Sequence, residues 1–286
     1  MVRRVIITAD DFGLAIPVNE AVELAHREGI LGCASLMVAE EAAADAVARA
    51  RRLPTLRVGL HVVVVDGRPA LPATVIPDLV DANGRLGANM FRTSVRIFFV
   101  PSARRQLRAE VRAQFEAFRA TGLPLDHVNA HRHMHLHPTV LGAILAVAPE
   151  FGVRAVRLPR EPLRATRTRP LGRRIAAFGW SAFLAPWLAL VRWRLARAGI
   201  RCNSYVLGLG DSGAMEERTV AALVGAIPDG ITEIYFHPAT NTRSGGVPLP
   251  MPAARHEAEL QALCSARVRA ALDGAGVARV TFGELA

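Results

Sequence analysis

The chain has 286 residues, 51% of them hydrophobic, so it can bury a large core, and a disordered protein is excluded. Aromatic residues make up only 6%, which argues against a stacking platform for single-stranded nucleic acid. The net charge is +10 and all 35 basic residues are arginine, so Schiff-base lysine chemistry is excluded as well.

In chain order, Val5–Ala9 reads as a buried strand, and helices are predicted over about 17–28 and 40–52. Val58–Val65 is a second, valine-rich strand. An amphipathic helix over 103–120 places Leu107, Val111, Phe115 and Phe118 on one face. A strand near 125–130, a helix after Pro138, and strands near 154–158, 205–207, 232–236 and 278–282 follow, with helices near 216–226 and 253–271. Alternation of this kind implies parallel strands with helices outside, in one domain without a linker. The less regular stretches 66–102 and 160–200 read as insertions in strand-to-helix loops.

The charge is concentrated. Residues 151–210 hold 12 arginines and a single acid, Glu161, together with all three tryptophans, Trp180, Trp187 and Trp193. Between the arginine clusters, Ile175–Val191 carries no charge but contains Gly179 and Pro186. This run is shorter than the ~20 residues of a membrane-crossing helix and is interrupted by proline, so spanning is not expected. An interfacial segment, with tryptophan in the headgroup region and arginine on anionic lipid, is favoured over a buried helix pair. A nucleic-acid groove is disfavoured, because phosphate does not call for an apolar stretch. Three cysteines without a CxxC pair suit a reducing compartment, and the N-terminal apolar run is too short for a signal peptide. A cytoplasmic location is expected, peripheral to the inner face of a membrane.

In a parallel α/β barrel the chemistry gathers where strands end. Asp10 and Asp11 follow the first strand, His61 ends the second, and His131, His133, His135 and His137 follow the third. His237 follows the strand near 232–236. Aspartate with histidine is a divalent-metal donor set, and a free carboxylate beside a metal site equips a hydrolase. Bland alternatives stand beside this: Asp11 as a helix cap, and His61 as a satisfied core histidine. Were 131–135 extended, its three histidines would share one face. Asp211 and Ser212 are candidates for substrate hydroxyls or for a turn and cap, Arg132 is a further substrate candidate, and Asn241 and Arg243 are weaker ones.

Four motifs in this order, Thr-Ala-Asp10-Asp11-Phe-Gly-Leu, Gly-Leu-His61, His127-x-x-x-His131-x-His133-x-His135 and Glu-Ile-x-x-His237-Pro, resemble the YdjC-type carbohydrate deacetylases over nearly the whole chain. The resemblance implies a distorted (β/α) barrel that removes acetyl groups from N-acetylated sugars. Asp11, His61 and His131 would be metal ligands, Asp10 the general base and His237 the general acid. One divalent ion is implied; zinc is favoured and magnesium or manganese also fits. Asn129 stands where the family tends to have aspartate, which removes an anionic partner behind the ligands.

Val128-Asn129-Ala130-His131, Met134–Pro138, Phe98-Phe99 and Gly210–Met215 further resemble a subgroup associated with hopanoid biosynthesis. For that subgroup the implied substrate is an N-acetylglucosaminyl hopanoid, and a membrane-facing apolar segment fits it. The alternatives are a soluble deacetylase of N-acetylated oligosaccharides and a basic peripheral-membrane protein with a degenerate site. Association with a second copy is left open.

Overall fold

The computed structural model describes residues 3–168, 170–240 and 255–285. Its centre is a parallel sheet of β1 (Arg3–Phe12), β2 (Cys33–Leu36), β3 (Arg57–Val62), β4 (Val128–Ala130), β5 (Tyr205–Leu207), β6 (Gly230–Phe236) and β7 (Ala278–Arg279). The strand order is β4-β3-β2-β1-β6-β5, and β7 pairs with the first residues of β1 below the point where β2 joins. Segment 154–160 closes the curl. Val128 N–H donates to the Ala155 carbonyl and Val206 N–H to that of Arg160, so this segment bridges β4 to β5. The result is a distorted barrel.

The strands read as near-continuous apolar runs because both of their faces are covered. From Val5 onward every residue of β1 is buried. Around the sheet pack α1 (Ile16–Glu28), α2 (Ala43–Arg51), α3 (Met90–Phe99), α4 (Pro101–Ala120), α5 (Pro138–Val147), α6 (Leu171–Arg197), α7 (Glu217–Val224), α8 (His256–Cys264) and α9 (Ala266–Gly274). The predicted face of α4 is the buried one, with Leu107, Val111, Phe115 and Phe118 all in the core.

Four expectations are corrected. The predicted helix over 253–271 is two helices, because the Ser265 hydroxyl accepts the N–H groups of Arg267 and Val268 and so starts α9 afresh. Within 66–102, α3 forms behind the Asn89 side chain, which accepts the Arg92 N–H. Residues 131–135 are not extended: His131–Leu136 is a 3-10 turn with Arg132 and His133 in the left-handed region, at φ 52° and 54°. The stretch read as broken by Pro186 is one 27-residue helix, long and apolar enough by composition to cross a membrane. Its C-terminal part packs on the body through buried Leu188, Val191 and Leu195, while residues 171–186 bury almost nothing.

Candidate metal centre

Neighbouring side chains on a regular strand point to opposite faces. β1 evades that rule at its C-terminal end. The register against β2 shifts between Ala9 and Phe12, and Asp11 takes φ 62°, a conformation that aspartate tolerates better than most residues. Both carboxylates therefore turn into the same interior, and Asp10 and Asp11 are 2% and 4% exposed. His61 arrives from β3 and His131 from the turn after β4.

His61 Nε2 and His131 Nδ1 lie 3.3 and 3.1 Å from Asp11 Oδ1. Donor atoms of the three residues all fall within 4.8 Å of one another, and all three residues are buried. Tetrahedral ligands at about 2.0–2.1 Å from a zinc ion stand about 3.3 Å apart, so the two short spacings, which also suit hydrogen bonds, are compatible with a shared ion. Two imidazoles and a carboxylate also suit zinc chemically. Burial raises the Asp11 carboxyl pKa, but His131 and His61 outweigh it and hold the group well below the usual range. Burial alone would make His61 less basic; Asp10 and Asp11 reverse that and raise it. Asp11 is thus no helix cap, since α1 has Ala15 at its N-cap and no side-chain cap.

Asp10 is held from two sides. Arg157 donates to its Oδ2 at 2.6 Å and its Oδ1 at 3.0 Å, and makes a second two-pronged pair with Glu233 at 2.6 and 2.8 Å. Arg157 and Glu233 are wholly buried. Burial pushes Asp10 up, yet the guanidinium and His61 prevail and keep it ionised far below the usual carboxylate pKa.

Asn129 holds the other side. Asp126 accepts from His127 Nδ1 at 2.9 Å, and His127 Nε2 accepts the Ser35 hydroxyl proton at 3.0 Å. The Ser35 oxygen is then left to accept from Asn129 Nδ2 at 2.8 Å. That nitrogen also donates to Asp10 Oδ1 at 3.1 Å, so the amide oxygen faces His61 and accepts from its Nδ1 at 2.6 Å. With Nδ1 so engaged, Nε2 is the His61 nitrogen that faces Asp11. The anionic partner expected from the family pattern is absent, but its positional role is filled by a neutral carbonyl. Gly59 makes room for this chain, since a Cβ there would stand 2.5 Å from the His127 ring.

The remaining candidates separate. His135 is fully buried and its basicity is pushed down to about 3 by burial, Arg157 and His61; His133 is lowered by burial, Arg157 and His135. Their rings are 5.9 Å apart, and His133 lies edge-on to Tyr235, whose ring also contacts His237 at 5.4 Å. His237 stands near enough to Asp10 and Asp11 to contribute to the lowering of both carboxyls. Its backbone is fixed: its N–H donates to Glu259 at 2.5 Å, and its carbonyl accepts from His256 Nδ1. Its buried Nδ1 has no hydrogen-bond partner among the described residues.

Ser212 hydrogen-bonds Tyr235. Neither it nor Asp211 caps α7, whose N-cap is Glu216. Arg132 is half-exposed and paired with Asp66 at the rim. Trp180 and Trp193 are 64% and 53% exposed. Trp187 is turned inward instead, because its indole N–H donates to the Leu136 carbonyl at 2.9 Å. Asn241 and Arg243 lie outside the described residues. The sequence reading missed Arg157, Glu233 and Ser35. The available signal was a charge inside a buried apolar strand, which is costly unless paired.

A YdjC-like protein family matches residues 4–274. The chain is 38% identical over 156 residues to a carbohydrate deacetylase of Brevibacillus brevis, covering 54% of this chain and 59% of that one. It is 36% identical over 155 residues to a carbohydrate deacetylase of Vibrio cholerae, covering 52% and 57%. The chain thus matches less than two thirds of the length of these relatives. A solved structure from Enterococcus faecalis V583, described as a candidate cellobiose-phosphate cleavage protein, superposes over 100% of both chains with a TM-score of 0.74 at 22% identity, a likeness of fold. Since the family match runs from the first strand through the Asp11–His61–His131 cluster to the end of α9, the chain belongs to the YdjC-like family.

Proposed function

We propose that the chain is a metal-dependent deacetylase that hydrolyses the N-acetyl group of an amino sugar. The observation that carries this reading is the buried Asp11–His61–His131 triangle with a second, ionised carboxylate, Asp10, turned into the same cavity. When bound, a divalent ion supplies Lewis-acid polarisation of an amide carbonyl and acidifies water. Asp10 accepts the proton of the attacking water; Arg157 and Asn129 keep it charged and aimed, at some cost in basicity. His237 gives a proton to the departing sugar amine, which leaves poorly unless protonated. Zinc is the favoured ion, and magnesium or manganese is compatible with fewer nitrogen ligands.

The finer reading is an N-acetylglucosaminyl lipid, a hopanoid by the subgroup resemblance. Beside the barrel mouth lies a cavity of about 500 Å³, lined mostly by apolar residues such as Leu163, Trp180, Leu184 and Leu188, with Arg160, Glu161 and Arg173 also on its wall, and it offers an apolar aglycone a place next to the sugar site. The free cysteines Cys33, Cys202 and Cys264 are consistent with work on the cytoplasmic side. A second reading, a deacetylase of soluble N-acetylated oligosaccharides, is supported by the names of the relatives.

Mass spectrometry of lipids incubated with the protein tests the finer reading; loss of one acetyl unit is expected. Acetate release from chitooligosaccharides alone would favour the second reading. Asp10→Asn is expected to keep the metal and lose turnover by about 10²–10⁴-fold. His131→Ala is expected to lose the metal in elemental analysis; full occupancy would remove it from the ligand set.

A further inference from the structure

Two apolar helices flank the turn that delivers His131. Phe98 of α3 meets the His137 ring at 6.0 Å, and Trp187 of α6 donates to the Leu136 carbonyl. Both helices leave large side chains in water: Phe91 and Phe99 on α3 are 78% and 71% exposed, and Ile175, Phe178, Trp180 and Phe183 on α6 are 60–74% exposed. A soluble surface rarely carries so much apolar area in one region. The residues of α6 are spaced around the helix rather than along one stripe, as in a helix immersed in an apolar medium.

The sequence around both helices has one sign of charge. Residues 82–109, which contain α3, hold six arginines and no acid; residues 162–210, which contain α6, hold nine and no acid. Arg85 and Arg96 pair with Glu40 and Asp78, and Glu161 shares a cavity wall with Arg173, yet both stretches combine exposed aromatics with an excess of arginine, a cationic frame in net charge. Both stand at the barrel end where Asp11, His61 and His131 meet.

We infer that α3 and the free part of α6 form one docking surface for an anionic lipid bilayer, with the barrel mouth between them. Arginine meets lipid phosphate while the aromatic side chains enter the headgroup region. A second copy of this chain would bring the same cationic frame against itself, which disfavours it as the occupant. Crossing is disfavoured by length. Residues 171–187 measure about 26 Å before the helix joins the body, short of the about 30 Å hydrocarbon core, and Arg173 and Arg174 lie inside that span. The surface itself stands on exposure and charge; it rests on the proposed deacetylase reading only for what it delivers, a substrate taken from the bilayer beside the mouth.

Flotation of the full chain with vesicles tests this. It is expected to float with phosphatidylcholine vesicles containing phosphatidylglycerol, to float much less with phosphatidylcholine alone, and to be released by high salt. The double variants Phe178→Glu/Phe183→Glu and Phe91→Glu/Phe99→Glu change exposed residues only, and each is expected to lower partitioning by more than about tenfold. Both should keep the wild-type melting temperature and the wild-type acetate release from a soluble chitooligosaccharide. That release reads the catalytic proposal separately, because flotation needs no turnover. No flotation, flotation indifferent to the α3 variant, resistance of the membrane-bound chain to carbonate extraction, or a dimer dissolved by the same substitutions would each overturn the surface as drawn.

Discussion

At the scale of single residues, Arg157 is the side chain on which the site's charge balance turns. Its one guanidinium bridges Asp10 and Glu233, both buried. Arg157→Met should leave two uncompensated carboxylates and destabilise the fold by about 3–5 kcal/mol in chemical denaturation. It should also raise the Asp10 pKa, so that activity fails earlier on the acid side. Asn129→Asp tests the amide. An aspartate still accepts from His61, but it loses the donations to Asp10 and Ser35 and sets two carboxylates face to face. A loss of about 1–3 kcal/mol is expected in the same measurement, with the melt unchanged if the amide is incidental. Asp10, Asp11, His61, His131 and His237 were legible in the sequence because strand ends are where polar residues need a reason. Arg157 and Glu233 were not, since 76 positions separate them and each looks like an isolated charge until the sheet brings them together.

At the scale of elements, proline did not end α6. Its missing N–H leaves the carbonyl of exposed Ala182 to water, and no packed neighbour is disturbed. That is why reading Pro186 as a break failed, and why the helix was illegible: the rule for proline assumes a surrounding that resists the kink. Amide exchange in detergent-free buffer should be fast over 171–185 and slow over 188–197, where Leu188, Val191 and Leu195 anchor the helix. Pro186→Ala should slow exchange in the first segment, by up to the ~3 kcal/mol cost of an interior proline, with little change in the global melt. β2 escaped notice for another reason. Its four residues, Cys-Ala-Ser-Leu, are too few and too small to show a period, although all are buried. The bulge in β1 was equally hidden, because alternation predicts diverging carboxylates and only the left-handed Asp11 reverses it.

At the scale of the whole molecule, the order of strands and helices was readable because each long apolar run had to be covered on both faces, whereas the closing segment 154–160 shows itself only through its neighbours. Stability should fall with acid. His135 is held neutral to about pH 3 in the fold but takes up a proton near pH 6.5 when unfolded. Its contribution is therefore complete above about pH 6.5 and declines by about 1.4 kcal/mol per pH unit below it. His133 is depressed in the same direction, so urea denaturation from pH 7 to 4 should show a slope at least that steep, and His135→Gln should reduce it without removing it. Zinc at about a hundred times its dissociation constant should raise stability by about 2.7 kcal/mol, and Asp11→Ala should abolish the gain.

The three residues proposed as metal ligands are tethered unequally. Asp11 sits on β1, which is bonded to β6 on one side and to β2 and β7 on the other, and His61 sits on β3 between β2 and β4. His131 instead opens a turn in which two consecutive non-glycine residues are left-handed, a costly arrangement. An ion would accordingly depart as that turn swings outward rather than as strands part. Extraction by a chelator should run faster in Arg132→Ala, which removes the side chain that ties the turn to Asp66 while keeping the left-handed strain, and the unfolding rate of the barrel should stay the same.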